Sequence, residues 1–231
     1  MITNYEFVDF KRIYVAGFSN GGYMAYRLSC DLSNRITAFG SVSGNMYLID
    51  DGLDCEDQGR EIPIIHIHGT SDIMNPYYPG GYGLFGDDIV GDQYLTIEES
   101  IEFWSTYHQY DTITIDTILT DISIRYTYGS EESISQFMHI KVEEGQHEWF
   151  YGDSYGFSYT QEILDFSSQY ELSDFIINLE DTNSDGLFNI DDIDLVVESI
   201  IELEIDNLSY DFNFDQLIDV IDILILSDFI Y

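Results

Sequence analysis

Three observations predict an α/β fold for this 231-residue chain. Short β-branched and aromatic runs alternate with helical ones, a glycine-flanked serine sits where one run turns into a helix, and an apolar run breaks at Gly69 to deliver Asp72. Such alternation argues a largely parallel sheet covered by helices. Open sheets of this kind place functional groups at the carboxyl ends of their strands.

The first strand is Arg12-Ile13-Tyr14-Val15-Ala16, followed by Gly17-Phe18-Ser19-Asn20-Gly21, with Gly22 behind it and helix-like residues from Tyr23 to about Cys30. Strand, tight turn and helix are the setting in which G-x-S-x-G signals a nucleophile elbow. Side chains at positions 17 and 21 are expected to collide with the neighbouring strand and helix, and Ser19 to be held in strained backbone geometry. Ile36 to Gly44 reads as a second, buried strand ending in small residues. A loop rich in Asp and Gly then carries Cys55. Pro63-Ile64-Ile65-His66-Ile67-His68 is a third strand, with Asp72 just past its end. Asn75 to Gly91, full of Gly, Pro and Tyr, reads as a surface loop and the lip of a pocket.

Thr96 to His108 has helical spacing and opens with Thr96 and acidic residues, as an N-terminus should. Ile122 to Tyr126 and Phe137 to Val142 alternate as strands, and the second leads to His147. Tyr159 to Tyr170 is the last helix of this part. Ser19, Asp72 and His147 thus stand on three strand-end loops in the order serine, aspartate, histidine. A hydroxyl is a poor nucleophile until an imidazole accepts its proton, and a buried carboxylate fixes that imidazole's tautomer and stabilises its cation. His66, His68, His108 and His139 are expected to be packed and hydrogen-bonded, because their spacing does not suit a zinc site.

With 44 acidic against 7 basic residues the formal net charge is -37. That surface repels phosphate backbones and anionic lipid, which excludes nucleic-acid binding. No apolar run is long enough to cross a bilayer, and Met1-Ile2-Thr3-Asn4-Tyr5-Glu6 shows neither the basic nor the apolar region of a signal peptide. The two cysteines, Cys30 and Cys55, are compatible with one disulfide or with two buried thiols.

The runs from Arg12 to Leu28, His66-Ile67-His68-Gly69-Thr70-Ser71-Asp72 and Glu144-Gly145-Gln146-His147-Glu148-Trp149 together resemble the polyhydroxybutyrate depolymerase and feruloyl esterase group of secreted α/β-hydrolases, over about residues 5–170. The resemblance implies an extracellular esterase that forms an acyl-enzyme on Ser19, with the Asn20 N–H as one oxyanion donor. It implies no cofactor for the ester chemistry, a substrate ester on a polysaccharide or a polyester, and a Cys30–Cys55 disulfide. In such hydrolases several strands, and the loop with the second oxyanion donor, precede the nucleophile strand; here a dozen residues do. Residues 1–172 are therefore expected to be a partial α/β-hydrolase domain, N-terminally truncated or else completed by another chain; truncation is the favoured reading, and a half-built sheet would leave the first strand an exposed edge. Little esterase activity is expected of it, since losing one oxyanion donor costs about a hundredfold to a thousandfold.

Beyond about Asp174 a repeat appears. Asp181, Asn183, Asp185, Asn189 and Asp192 match Asp211, Asn213, Asp215, Asp219 and Asp222, the oxygen positions of two twelve-residue loops, with Leu187 and Leu217 offering carbonyls. That spacing wraps a hard cation. Apolar helical runs follow, Ile193 to Leu203 and Ile221 to Phe229. Loops ending in Asp resemble a type I dockerin over residues 176–231. This implies a small all-α domain with two calcium ions and a cohesin-like or other surface-anchoring partner. The tenth and eleventh loop positions, Ile190-Asp191 and Val220-Ile221, depart from the common small or hydroxyl pairs. Gly186 suits the sharp turn of the first loop better than Gln216 suits the second, so the first site should bind calcium more tightly. The alternative reading is a non-catalytic fragment whose working part is this module.

Overall fold

The first strand, β1, is Tyr14–Phe18; α1 (Asn20–Asp31) returns the chain to β2 (Ala38–Val42), and β3 is Ile64–Gly69. Then come α2 (Ile97–Tyr107), β4 (Thr112–Thr117), β5 (Ser123–Gly129), β6 (Phe137–Val142), α3 (Tyr159–Ser167) and α4 (Ile190–Glu202). The computed structural model describes residues 9, 11–33, 35–46, 61–78, 95–117, 122–131, 133–150, 155–175, 190–202 and 223. It divides into two units, Met1–Leu172 and Ser173–Tyr231.

The first unit holds one sheet in the order β1-β2-β3-β6-β5-β4. β1, β2, β3 and β6 are parallel, whereas β5 and β4 add on antiparallel. Only β5 runs against the other five strands, so the sheet is mixed yet largely parallel in strand direction. β4 is the strand that reading the sequence did not place. Its residues 112–114 are exposed on an outer strand, and its short Thr-Ile-Thr-Ile alternation is the signal that was available for it. Among the described residues β1 pairs with β2 alone, which makes it the opposite edge.

Parallel strands covered on both faces bury every residue, and β2 and β3 do so along their whole length. On one face Phe39, Ile64 and Phe137 stand in register. They pack beneath Tyr26 of α1 and Ile97, Ile101 and Trp104 of α2 in a single apolar cluster. On the other face α3 lies over β2 and β3, with Ile163 against Gly40. α2 starts with a full capping box, in which the Thr96 hydroxyl accepts from the Glu99 N–H and the Glu99 carboxylate accepts from the Thr96 N–H.

In the second unit α4 begins at Ile190, three residues before the expected start, and Asp192 and Ile193 in its first turn are buried. The other expected calcium ligands, Asp181, Asn183, Asp185, Leu187, Asn189, Asp211, Asn213, Asp215, Leu217, Asp219 and Asp222, lie outside the described residues. Among the described residues no helix is long and apolar enough to cross a membrane.

Candidate active site

β1 becomes α1 through a single residue, Ser19, whose backbone sits at φ 54°, ψ -120°. An L-residue seldom adopts that region, and it persists only where neighbours enforce it. The enforcement is visible. The Ser19 N–H donates to the Val42 carbonyl at 2.9 Å, and the Ser19 carbonyl accepts from the N–H groups of Gly22 at 2.8 Å and Tyr23 at 3.2 Å. A Cβ on Gly17 would lie 2.0 Å from the Gly21 carbonyl oxygen, as the tightness of the turn predicts. Gly21 differs from expectation, because a Cβ there would meet nothing within 4 Å. The close contact falls instead on Gly22, where a Cβ would approach the Ser41 Oγ to 2.4 Å. Ser19 occupies the N-cap of α1 without its hydroxyl bonding the helix. The hydroxyl is thus not consumed by capping. The Asn20 N–H, first in α1, is one of the amides that a helix leaves without an internal acceptor.

Asp72 and His147 come from β3 and β6, which are adjacent and parallel, so their carboxyl ends lie side by side. Beyond the strands the two loops are clasped by backbone at Gly69 and Gly145 and by the Thr70 hydroxyl, which accepts from the Glu144 N–H at 2.9 Å. A Cβ on Gly69 would lie 2.3 Å from the Gly145 carbonyl oxygen, and that same carbonyl accepts from the Ser71 N–H at 2.9 Å. This approach brings the His147 Nδ1 to 2.8 Å from Asp72 Oδ2. The other carboxylate oxygen accepts from the N–H groups of Met74 at 2.9 Å and Asn75 at 2.8 Å. Burial alone would raise the Asp72 carboxyl. The donors from His68, Asn75 and His147 outweigh it and hold the group below the usual carboxylate range.

With Asp72 ionised, the His147 Nδ1 is the donor and its Nε2 is free to take a proton, which is the tautomer a general base needs. The His147 ring packs on Phe18, with centroids 4.8 Å apart. That contact sets the imidazole beside the residue that precedes Ser19. Two of the three sequence-predicted residues are therefore in direct contact and the third is adjacent through Phe18. Among the described residues no hydrogen bond joins the Ser19 hydroxyl to His147.

Two contributors were not singled out in the sequence. Asn75 donates its side-chain N–H to the Ser43 carbonyl and so ties the Asp72 loop to the end of β2, beside the elbow. Its signal was the Asp-x-x-Asn spacing, which permits an aspartate to cap its own loop. Phe18 and Trp149 form the second contributor, an edge-to-face pair at 6.4 Å flanking His147. Cys30 is buried on α1 and disulfide-bonded; the other cysteine of the chain, Cys55, lies outside the described residues. Among the described residues no group of three His, Cys, Asp or Glu side chains is arranged to hold a metal ion.

The phospholipase/carboxylesterase family model matches residues 3–81, a stretch that includes Ser19 and Asp72. The chain is 38% identical over 71 residues to the bifunctional acetylxylan esterase/xylanase XynS20E of Neocallimastix patriciarum, covering 30% of this chain and 10% of that protein. It is 39% identical over 80 residues to feruloyl esterase B of Piromyces equi, covering 34% of this chain and 15% of that protein. The chain thus spans a small part of the length of these relatives. Among solved structures, an acetyl xylan esterase from Aspergillus awamori aligns over 72% of this chain and 62% of its own, at 14% identity and a TM-score of 0.47.

Proposed function

We propose that the first unit is a secreted serine esterase, acting outside the cell on acyl groups esterified to a polysaccharide. The observation that carries this reading is the Asp72–His147 hydrogen bond placed beside a serine in strained backbone geometry. As the Ser19 Oγ bonds to the ester carbonyl carbon, its proton passes to the His147 Nε2. The Asn20 N–H donates to the oxyanion that forms. Collapse breaks the bond to the alcohol, which leaves with the proton from His147. Water then attacks the acyl-serine, giving its proton to His147, and the acid departs as the proton returns to Ser19. Asp72 stays ionised throughout and steadies the imidazolium. A polysaccharide ester is favoured over a polyester because the two curated relatives are named for acetylxylan and feruloyl ester hydrolysis.

Labelling by a fluorophosphonate probe, read by mass spectrometry, tests the chemistry directly, since only an activated hydroxyl reacts. Label is expected on Ser19 and is expected to vanish in Ser19→Ala, with slow turnover of p-nitrophenyl acetate lost in parallel. A full chain that takes no label at Ser19 overturns the reading.

The second unit is assigned, from the repeated spacing of carboxylates at residues 181–192 and 211–222, as a calcium-dependent docking module for a cohesin-like or other surface partner. Titration calorimetry of the full chain is expected to show two calcium sites, the first tighter, and chelation to melt α4. No heat of calcium binding would remove the assignment.

A further inference from the structure

Behind Asp72, on the face of the sheet covered by α1 and α2, runs a line of buried polar side chains that the acyl-transfer chemistry does not use. Tyr26, His66 and His68 are all essentially without solvent contact. The Tyr26 hydroxyl lies 2.6 Å from the His66 Nδ1, the His66 Nε2 lies 3.1 Å from the His68 Nδ1, and the His68 Nε2 lies 2.8 Å from the Asn75 carbonyl. The two imidazoles are stacked nearly parallel, 5° apart.

The far end of the line fixes every proton in it. A carbonyl oxygen only accepts, so the His68 Nε2 carries hydrogen and its Nδ1 is the acceptor when the ring is neutral. The His66 Nε2 must then be the donor and its Nδ1 the acceptor, which leaves the Tyr26 hydroxyl to donate. His139 runs the opposite way. Its Nδ1 faces the His66 carbonyl at 3.1 Å and is therefore the donor, while its Nε2 accepts from the Tyr77 hydroxyl at 2.9 Å. The donor end of the line has a second neighbour. The His68 Nε2 is 3.4 Å from Asp72 Oδ2, the same oxygen that accepts from His147.

We infer that His68 is a positioning residue for Asp72, and that Tyr26 and His66 set the tautomer in which it works. Its N–H holds the Asn75 carbonyl, fixing the turn whose amides bind one oxygen of Asp72. It also presents a donor edge to the other oxygen, so the carboxylate is not free to rotate away from His147. The Nδ1–H tautomer of His68 would turn the Nε2 lone pair toward both the Asn75 carbonyl and the carboxylate, an arrangement penalised on burial. The consequence for rate rests on the esterase reading; the consequence for the His147 hydrogen bond does not.

The full chain, labelled with 15N, is examined by long-range correlation spectra of its histidine rings, together with kcat and KM on p-nitrophenyl acetate. Nε2–H tautomers are expected for His66 and His68, Nδ1–H for His139, and a low-field Nδ1 proton for His147. In His68→Leu that proton is expected to broaden, and kcat to fall on the order of a hundredfold, with KM little changed. His68→Gln, which keeps a donor toward Asn75, should recover most of both. His66→Phe, which touches neither Asp72 nor Asn75, should mix the His68 tautomers and broaden the His147 proton. This variant decides the matter if a circular dichroism melt shows His68→Leu unfolded. An Nδ1–H tautomer at His68 in the unmodified chain, or a His147 proton indifferent to both substitutions, overturns the inference. Absence of Ser19 labelling together with a His147 proton that still responds to His68 would sink the esterase reading and leave this one standing.

Discussion

β1 and β3 each end in a turn that carries a candidate catalytic residue, yet the two turns are held in different ways. β3 lies between β2 and β6 and is buried at all six positions, whereas β1 is half-exposed and, among the described residues, has β2 as its one neighbour. Asp72 and His147 are aligned by packing on both faces and by the backbone contact of Gly69 with Gly145. Ser19 is aligned by its own turn, through the Val42 anchor and the carbonyl bonds to Gly22 and Tyr23. The Asp72–His147 pair is thus a property of the sheet centre, and the Ser19 geometry a property of a local motif.

That contrast can be broken most directly at Gly69. A methyl group there would lie 2.3 Å from backbone that cannot swing aside. Gly69→Ala should cost about 4 kcal/mol or more, near the top of the range for single substitutions, in urea denaturation. A loss below 1 kcal/mol, on the scale of ordinary exposed-site changes, would show that the clasp is slack.

Acid should also strike the centre before the edge. Burial, aided by His68 and His139, holds His66 well below the usual histidine range, and burial brings His139 down to about 3. In the unfolded chain both titrate near their ordinary value of about 6.5. Because the folded values are depressed, the unfolded chain binds more protons between these limits. Stability is therefore fully present above about pH 6.5 and lost as pH falls toward the folded values, by up to about 1.4 kcal/mol per pH unit for each histidine. Thermal melts at pH 7 and pH 5 should differ accordingly, and His139→Phe should flatten the difference.

Gly22→Ala probes the edge. The obstacle there is chiefly the Ser41 hydroxyl, which turns away only by giving up its bond to the Gly44 carbonyl, so about 1–3 kcal/mol is expected. A cost equal to that of Gly69→Ala would erase the distinction between the two turns. Thr96→Ala, which breaks the capping box of α2 remote from both, should cost about 1 kcal/mol and sets the floor against which the others are read.

The parts of the site that were legible in the sequence are those whose chemistry is local. Gly17, Ser19 and the flanking strand and helix announce the turn by themselves, and Asp72 and His147 each follow an apolar run at a strand end. What was not legible depends on which strands become neighbours. Nothing in Glu144-Gly145 says that its carbonyl will meet Gly69, because that contact follows from β6 pairing with β3 across an intervening hairpin. β4 was passed over although Thr112-Ile113-Thr114-Ile115 alternates; it is an outer strand, and Ile113 is 61% exposed. The alternation Ile64-His66-His68 was readable as one face of a strand, but the partners that arrange its protons, Tyr26 and Asn75, come from a helix and a loop.

The meeting of Gly69 and Gly145 has a consequence for how this molecule could be recombined or redesigned. Two peptide backbones in contact leave no side chain that might shrink to compensate for a larger one opposite. The two glycines therefore behave as a single inheritance, and a chimaera with a crossover anywhere from 70 to 144 should keep its acid–histidine pair only when both parents supply glycine at these places.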